Sequence, residues 1–145
     1  MTNAKKEILL EAWGNEFDKY KQYFIDAHNR GVDIKIVGYK KLDFDFGLVY
    51  QHSGGDSVEK MVGKCFILVV DENEALISIE NDVRKVDAVC TKNKTLVFIT
   101  KEMIIHDMFL IDIENTLGGV LPEIYGENII KLREKLLGKD FRANL

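Results

Sequence analysis

Residues 7 to 39 carry a strand, a helix and a second strand in immediate succession, and that order commits the chain to a sheet with a parallel pair. Glu7-Ile8-Leu9-Leu10-Glu11-Ala12-Trp13 is a short apolar run ended by Gly14-Asn15, which reads as a strand entering a turn. Asn15 is placed to cap the helix that follows, with Glu16 and Asp18 putting negative charge in its first turn. Phe17, Tyr20, Phe24 and Ala27 keep helical spacing until Asn29-Arg30-Gly31 closes the element. Val32-Asp33-Ile34-Lys35-Ile36-Val37-Gly38-Tyr39 then alternates apolar with polar and is β-branched, as a strand is. A strand, a crossover helix and a second strand form a βαβ unit, whose two strands are parallel.

The rest of the chain predicts a larger mixed sheet. Phe46 to His52 reads as a further strand ended by Ser53-Gly54-Gly55-Asp56, and Cys65 to Val70 is a continuous apolar run of the kind covered on both faces. Asp71-Glu72-Asn73-Glu74 turns that strand into Ala75-Leu76-Ile77-Ser78-Ile79, and Asp87 to Thr91 adds another. Leu96, Ile99, Met103, Leu110, Ile113 and Leu117 hold helical spacing up to Gly118-Gly119, so a long helix is expected, although residues 95–100 are β-branched enough to read as strand. A last amphipathic helix is expected from Glu127 to Leu137, ended by Gly138. The fold class predicted is α/β, with a mixed, largely parallel sheet flanked by helices in an α/β/α sandwich.

At 145 residues with 46% hydrophobic and 30% charged, the chain fits one domain spanning residues 1–145. Its longest uninterrupted apolar run, Phe66 to Val70, is far short of the roughly 20 residues of a spanning helix, so no membrane partner is expected. A net charge of -4 gives no general pull toward nucleic acid. The N-terminus shows neither an apolar signal core nor an Arg-rich transit pattern, which points to a cytoplasmic protein. Cys65 and Cys90 lie in apolar β-branched settings and are expected in the core. His28, His52 and His106 are dispersed, so no metal and no cofactor is expected.

Three segments in order carry a family resemblance: Ile8 to Trp13, then Phe24-Ile25-Asp26-Ala27-His28-Asn29-Arg30-Gly31-Val32 with its strand to Val37, then Val69-Val70-Asp71-Glu72-Asn73-Glu74-Ala75-Leu76-Ile77. With Ala88 to Asn93, a long helix and a basic C-terminal helix after them, they resemble the phospholipase-D-like domain of TrmB-like transcriptional regulators. Catalytic members of the wider phospholipase D superfamily carry His-x-Lys, four residues, Asp, six residues, then Gly-Ser-x-Asn, with His attacking phosphorus. Setting Asp71 on the motif's Asp puts Lys64 at the His position, Phe66 at the Lys position, Ser78-Ile79 at Gly-Ser and Asn81 at Asn, so the nucleophile is missing. The resemblance therefore implies a non-catalytic effector domain that senses a small polar metabolite such as a sugar, dimerises, and meets DNA only through a separate DNA-binding domain not contained in the chain.

Ligands of open α/β sheets gather at the carboxyl ends of parallel strands, which selects Trp13, Asn15 and Tyr39 as ligand-binding candidates. Asp71 and Asn81 join them through the resemblance, and Asp71, His52 and Asn81 are the candidates for the alternative of a phosphodiesterase-like enzyme with a non-standard site. Tyr50 and His52 read as cleft-lining or as an exposed edge, with the edge preferred. Ile104 to Ile111 is apolar round more of its circumference than one buried face needs, so Ile105, Met108 and Phe109 are assigned to a homodimer interface, with His106 at its boundary. A purely structural interaction module is the third reading.

Overall fold

The computed structural model describes residues 1–52, 59, 63–81, 85–126 and 129–138. Six strands form one sheet: β1 (Glu7–Trp13), β2 (Asp33–Tyr39), β3 (Leu48–His52), β4 (Lys64–Val70), β5 (Glu74–Asn81) and β6 (Lys85–Thr91), in the order β3-β2-β1-β4-β5-β6. The helices are α1 (Gly14–Asp18), α2 (Lys21–Asn29), α3 (Lys94–Leu117), α4 (Leu121–Tyr125) and α5 (Ile130–Leu137). β1 pairs parallel with β2, and β2 with β3, while β4, β5 and β6 form an antiparallel meander joined to β1 through β4. The sheet is mixed, with parallel pairing confined to the β3-β2-β1 half. The three-residue link between β4 and β5 is too short for the crossover that parallel strands need.

Alternation along the central strands builds two apolar layers. Ile8, Leu10 and Ala12 of β1 face Phe17 of α1 and Phe24 and Ala27 of α2. Leu9 and Trp13 point the other way, with Val37, Ile67 and Val69, toward Val97, Ile104, Met108 and Ile111 of α3. Helices thus cover both faces, the sandwich expected of this class. Each fully buried side chain of this size is worth about 1.5–3 kcal/mol relative to exposure.

Local details depart from the sequence reading in three places, and a fourth decides one left open. The first helix breaks at Lys19 and Tyr20, which leaves Tyr20 40% exposed and edge-on to Phe66 while Phe17 and Phe24 stay in the core. Asn15 does not cap: Trp13 holds the N-cap position without a side-chain bond, and Asn15 reaches only Glu16. Residues 95–100 are helix, because Asn93 accepts from the amides of Thr95 and Leu96 and starts α3. Cys65 is buried as expected, but Cys90 is exposed, since β6 is an edge strand exposed along most of its length. The last helix is described from Ile130 to Leu137, and Glu127 and Ser53 to Asp56 fall outside the described residues. Among the described residues no helix is long and apolar enough to cross a membrane.

Candidate functional site

Under α3, at the end of the sheet where β1, β2 and β3 finish, polar side chains from four adjacent strands form a row. Register sets Trp13 beside Tyr39 and Tyr39 beside His52. The Trp13 and Tyr39 rings stack with centroids 4.1 Å apart, and Tyr39 stacks in turn on His52 at 4.7 Å. The Tyr39 hydroxyl donates to Glu11 Oε1 at 2.7 Å, and the Cys65 thiol donates to the same oxygen at 3.8 Å. From α3, Asp107 brings a second carboxyl against Glu11.

Glu11 is 3% exposed, and burial is the main force pushing its carboxyl up to about 7, helped by the charge of Asp107 and opposed by the bonds from Tyr39 and Cys65. Burial raises Asp107 as well, with His52 pulling the other way. The Tyr39 hydroxyl and the Cys65 thiol are held neutral by burial and by the neighbouring Glu11 charge. Burial lowers His52, against the attraction of Asp107 and Glu114. Trp13 Nε1 is buried with no hydrogen-bond partner among the described residues, while Glu11 Oε2 is buried without a donor and its carboxyl has the Asp107 carboxyl as a neighbour with which it can share a proton. A buried donor left open costs about 1–3 kcal/mol.

The sequence-predicted residues divide between the two ends of the sheet. Trp13 and Tyr39 do meet, but stacked on each other and 0% and 4% exposed, so the indole offers no open stacking face. Asn15 is exposed beside them. Asp71 lies at the opposite end of the central strands, next to Glu7, where its carboxylate accepts from the backbone amides of Lys5, Lys6 and Glu7 at 2.7–3.2 Å. Burial alone would raise Asp71, but those amides outweigh it and hold the carboxyl below its usual range. Its carboxylate is thus engaged with its own chain, away from Trp13 and Tyr39. Asn81 closes β5, and its side chain is outside the described residues. The alternative trio of Asp71, His52 and Asn81 does not assemble, because Asp71 and His52 sit at opposite ends of the sheet. Tyr50 is tied to α3, donating to Asp112 at 3.1 Å.

The helix residues assigned to a dimer need a correction too. Met108 is 4% exposed and packs in the sheet-facing layer of its own chain, and Ile105 is partly buried beside it, while Phe109 is 60% exposed. The outward stripe is instead Leu96, Ile99, Met103, Leu110, Ile113 and Leu117, each 38–56% exposed. Glu11, Cys65 and Asp107 were not selected from sequence, although a Glu inside the apolar run from Ile8 to Trp13 is a visible signal.

A depression of about 350 Å³ lies at the amino end of β1 between Lys6, Glu7, Asp33, Asp71 and Glu72. Its charges are already matched, with Lys101 pairing Glu7 at 2.6 Å and Glu72 beside it. Among the described residues no group of three His, Cys, Asp or Glu side chains is arranged to hold a metal ion.

The model of the N-terminal subdomain of the effector-binding domain (EBD) of the transcriptional regulator TrmB matches residues 1–110. The chain belongs to this family. It is 33% identical over 147 residues to the Bacillus subtilis (strain 168) protein YrhO, a match that takes in 98% of the chain and 52% of YrhO. The chain thus spans about half the length of this curated relative. Among solved structures it is similar to TrmBL2, an archaeal chromatin protein whose structure shows a novel mode of DNA binding. That match has 20% identity and a TM-score of 0.55 over 74% of this chain and 45% of TrmBL2. NucT from Helicobacter pylori superposes with a TM-score of 0.56 at 9% identity, over 76% of this chain and 82% of NucT. At such identities the two structures speak for the fold alone.

Proposed function

We propose that the chain is a non-catalytic, ligand-sensing and dimerising effector domain of a TrmB-like transcriptional regulator, acting on DNA through a DNA-binding element outside these 145 residues. The observation that supports the sensing role is the buried polar row between the sheet and α3, in which Trp13 Nε1 has no partner among the described residues and the Glu11 carboxyl faces Asp107. A buried indole donor and a protonatable carboxyl two residues apart on β1 suit a small hydroxylated or amide-bearing metabolite, a sugar among them. Membership of the effector-domain family supports the regulatory context. The absence of His at position 64 and of Lys at position 66 supports binding without phosphodiester cleavage.

Because Glu11, Trp13 and Tyr39 are all closed off, a ligand that reaches them must draw α3 away from the sheet. The outer face of α3 carries the exposed apolar stripe, so uptake and self-association would share one helix. A ligand then regulates by binding one α3 position better than the other. The test is a thermal-shift screen of sugars and other small metabolites on the native chain and on Glu11→Gln. A ligand at 100 times its Kd adds about 2.7 kcal/mol to stability, so the expected result is a shift in the native chain that the variant loses. A flat panel would overturn the sensing role and leave a structural interaction module.

A further inference from the structure

The outward stripe of α3 is more regular than burial of one face requires. Leu96, Ile99, Met103, His106, Leu110, Ile113 and Leu117 are spaced three, four, three, four, three and four residues apart, the alternation of a coiled-coil seam. All seven are exposed, on a 24-residue helix whose opposite side, Val97, Thr100, Ile104, Met108 and Ile111, is buried against the sheet. A helix that needs only to cover a sheet has no use for a second stripe in this repeat, whereas a partner helix does.

Resting on the dimerisation part of the function proposed above, we infer that two copies of this chain pair through α3 in antiparallel orientation, with the two-fold axis between Met103 and His106. Antiparallel helices match the first apolar position of one repeat with the second of the other. About that centre the matched layers are Leu96 with the partner's Ile113, Ile99 with the partner's Leu110, and Met103 with the partner's His106. The stripe is self-complementary in this register, as an isologous interface must be. Two aliphatic layers lie at each end and the two symmetry-related Met103–His106 layers at the centre, and a single polar position in a seam fixes register at a cost in stability.

The polar position selects the orientation. In a parallel pair the two His106 rings would face each other in one layer, whereas in the antiparallel pair each faces Met103 of the partner. In the antiparallel pair Glu102 lies beside the partner's Phe109, and Thr95 beside the partner's Thr116, with no like charges opposed. Phe109, 60% exposed in the single chain, gains cover in this arrangement.

The experiment uses the full chain with Cys90→Ser, which removes the exposed thiol and leaves the buried Cys65. Leu96→Cys and Ile113→Cys proteins are prepared separately, oxidised alone and as a mixture, and the native chain is followed by sedimentation equilibrium. The expected result is a native dimer and a disulfide-linked product that forms in the mixture and not from Leu96→Cys alone, whose two thiols lie about 25 Å apart in the antiparallel pair. Self-linking of Leu96→Cys would overturn the antiparallel orientation while leaving the dimer intact. A native dimer with no linked product in either sample removes α3 as the interface, and a native monomer defeats the dimerisation reading itself.

Discussion

Tyr39 donates its hydroxyl proton to Glu11 across the β1–β2 pair at 2.7 Å, and both side chains are buried under α3. The bond satisfies one carboxyl oxygen and leaves the other, Oε2, without a donor. It anchors the carboxyl at the point where the sheet meets the helix that carries the outer seam, which makes its protonation a property of the whole sheet–helix contact.

That contact makes stability depend on pH with a definite sign. Glu11 is raised from its ordinary value to about 7, and Asp107 is raised in the same direction. The folded state therefore binds more protons than the unfolded one between the ordinary carboxylate range and neutrality. Stabilisation is complete below about pH 4.5 and is lost as pH rises through about 7, a change of up to about 3 kcal/mol from Glu11. Urea unfolding at pH 5 and pH 8 should show the native chain weaker at the higher pH, and Glu11→Gln should flatten the difference.

Asp71 works in the opposite pH direction and at the opposite end of the sheet. Its carboxyl is held low by three backbone amides, so its contribution is present above the ordinary carboxylate range and lost on acidification through its folded value. Asp71→Ala opens those amides and places alanine at φ 52°, in the left-handed region. A loss of about 2–4 kcal/mol is expected. Asp71→Asn, which keeps one acceptor and tolerates that backbone, should lose less. Ligand-induced thermal shifts should survive in Asp71→Asn, since Asp71 lies far from Glu11.

How much of this was legible follows from which forces act locally. The strands and the hairpin were readable because period-two alternation and the Asp71-Glu72-Asn73 turn chemistry sit in a few consecutive residues. Asp71 was readable as a turn former, but its hold on the amides of Lys5 to Glu7 exists only once β4 lies beside β1. The row from Cys65 to His52 needed four strands in register, so sequence separation hid it. In α3 both faces are apolar, and periodicity alone could not say which faces the sheet, which is why Met108 was assigned to the wrong side. Glu11 is the one signal of that row visible in the sequence: a carboxylate inside the apolar run of a central strand is buried by position.

Two glycines show how tightly the site end of the sheet is closed. A Cβ on Gly14 would stand 2.7 Å from the Lys41 carbonyl oxygen, and one on Gly38 would stand 2.5 Å from the Leu42 side chain. The first neighbour is backbone and the second a side chain that can turn, so Gly14→Ala should cost more, about 2–3 kcal/mol against about 1–2 kcal/mol for Gly38→Ala. Gly31 has φ 84° with open space around it, and its alanine variant should lose only about 1 kcal/mol of backbone strain. Thermal unfolding of the three variants checks the order.

The two faces of α3 give a last contrast that separates folding from association. Met108 is 4% exposed among Trp13, Val37 and Ile104, so Met108→Glu buries a charge with nothing to pair it and should cost several kcal/mol or abolish folding. Leu110 is two residues further on and 38% exposed on the outer seam, where a carboxylate stays in water in the single chain. Leu110→Glu should therefore unfold at a temperature close to that of the native monomer and yet fail to self-associate in sedimentation. Were Leu110→Glu to unfold as readily as Met108→Glu, the outer stripe would be part of the chain's own core, and the division of α3 into an inner structural face and an outer association face would be lost.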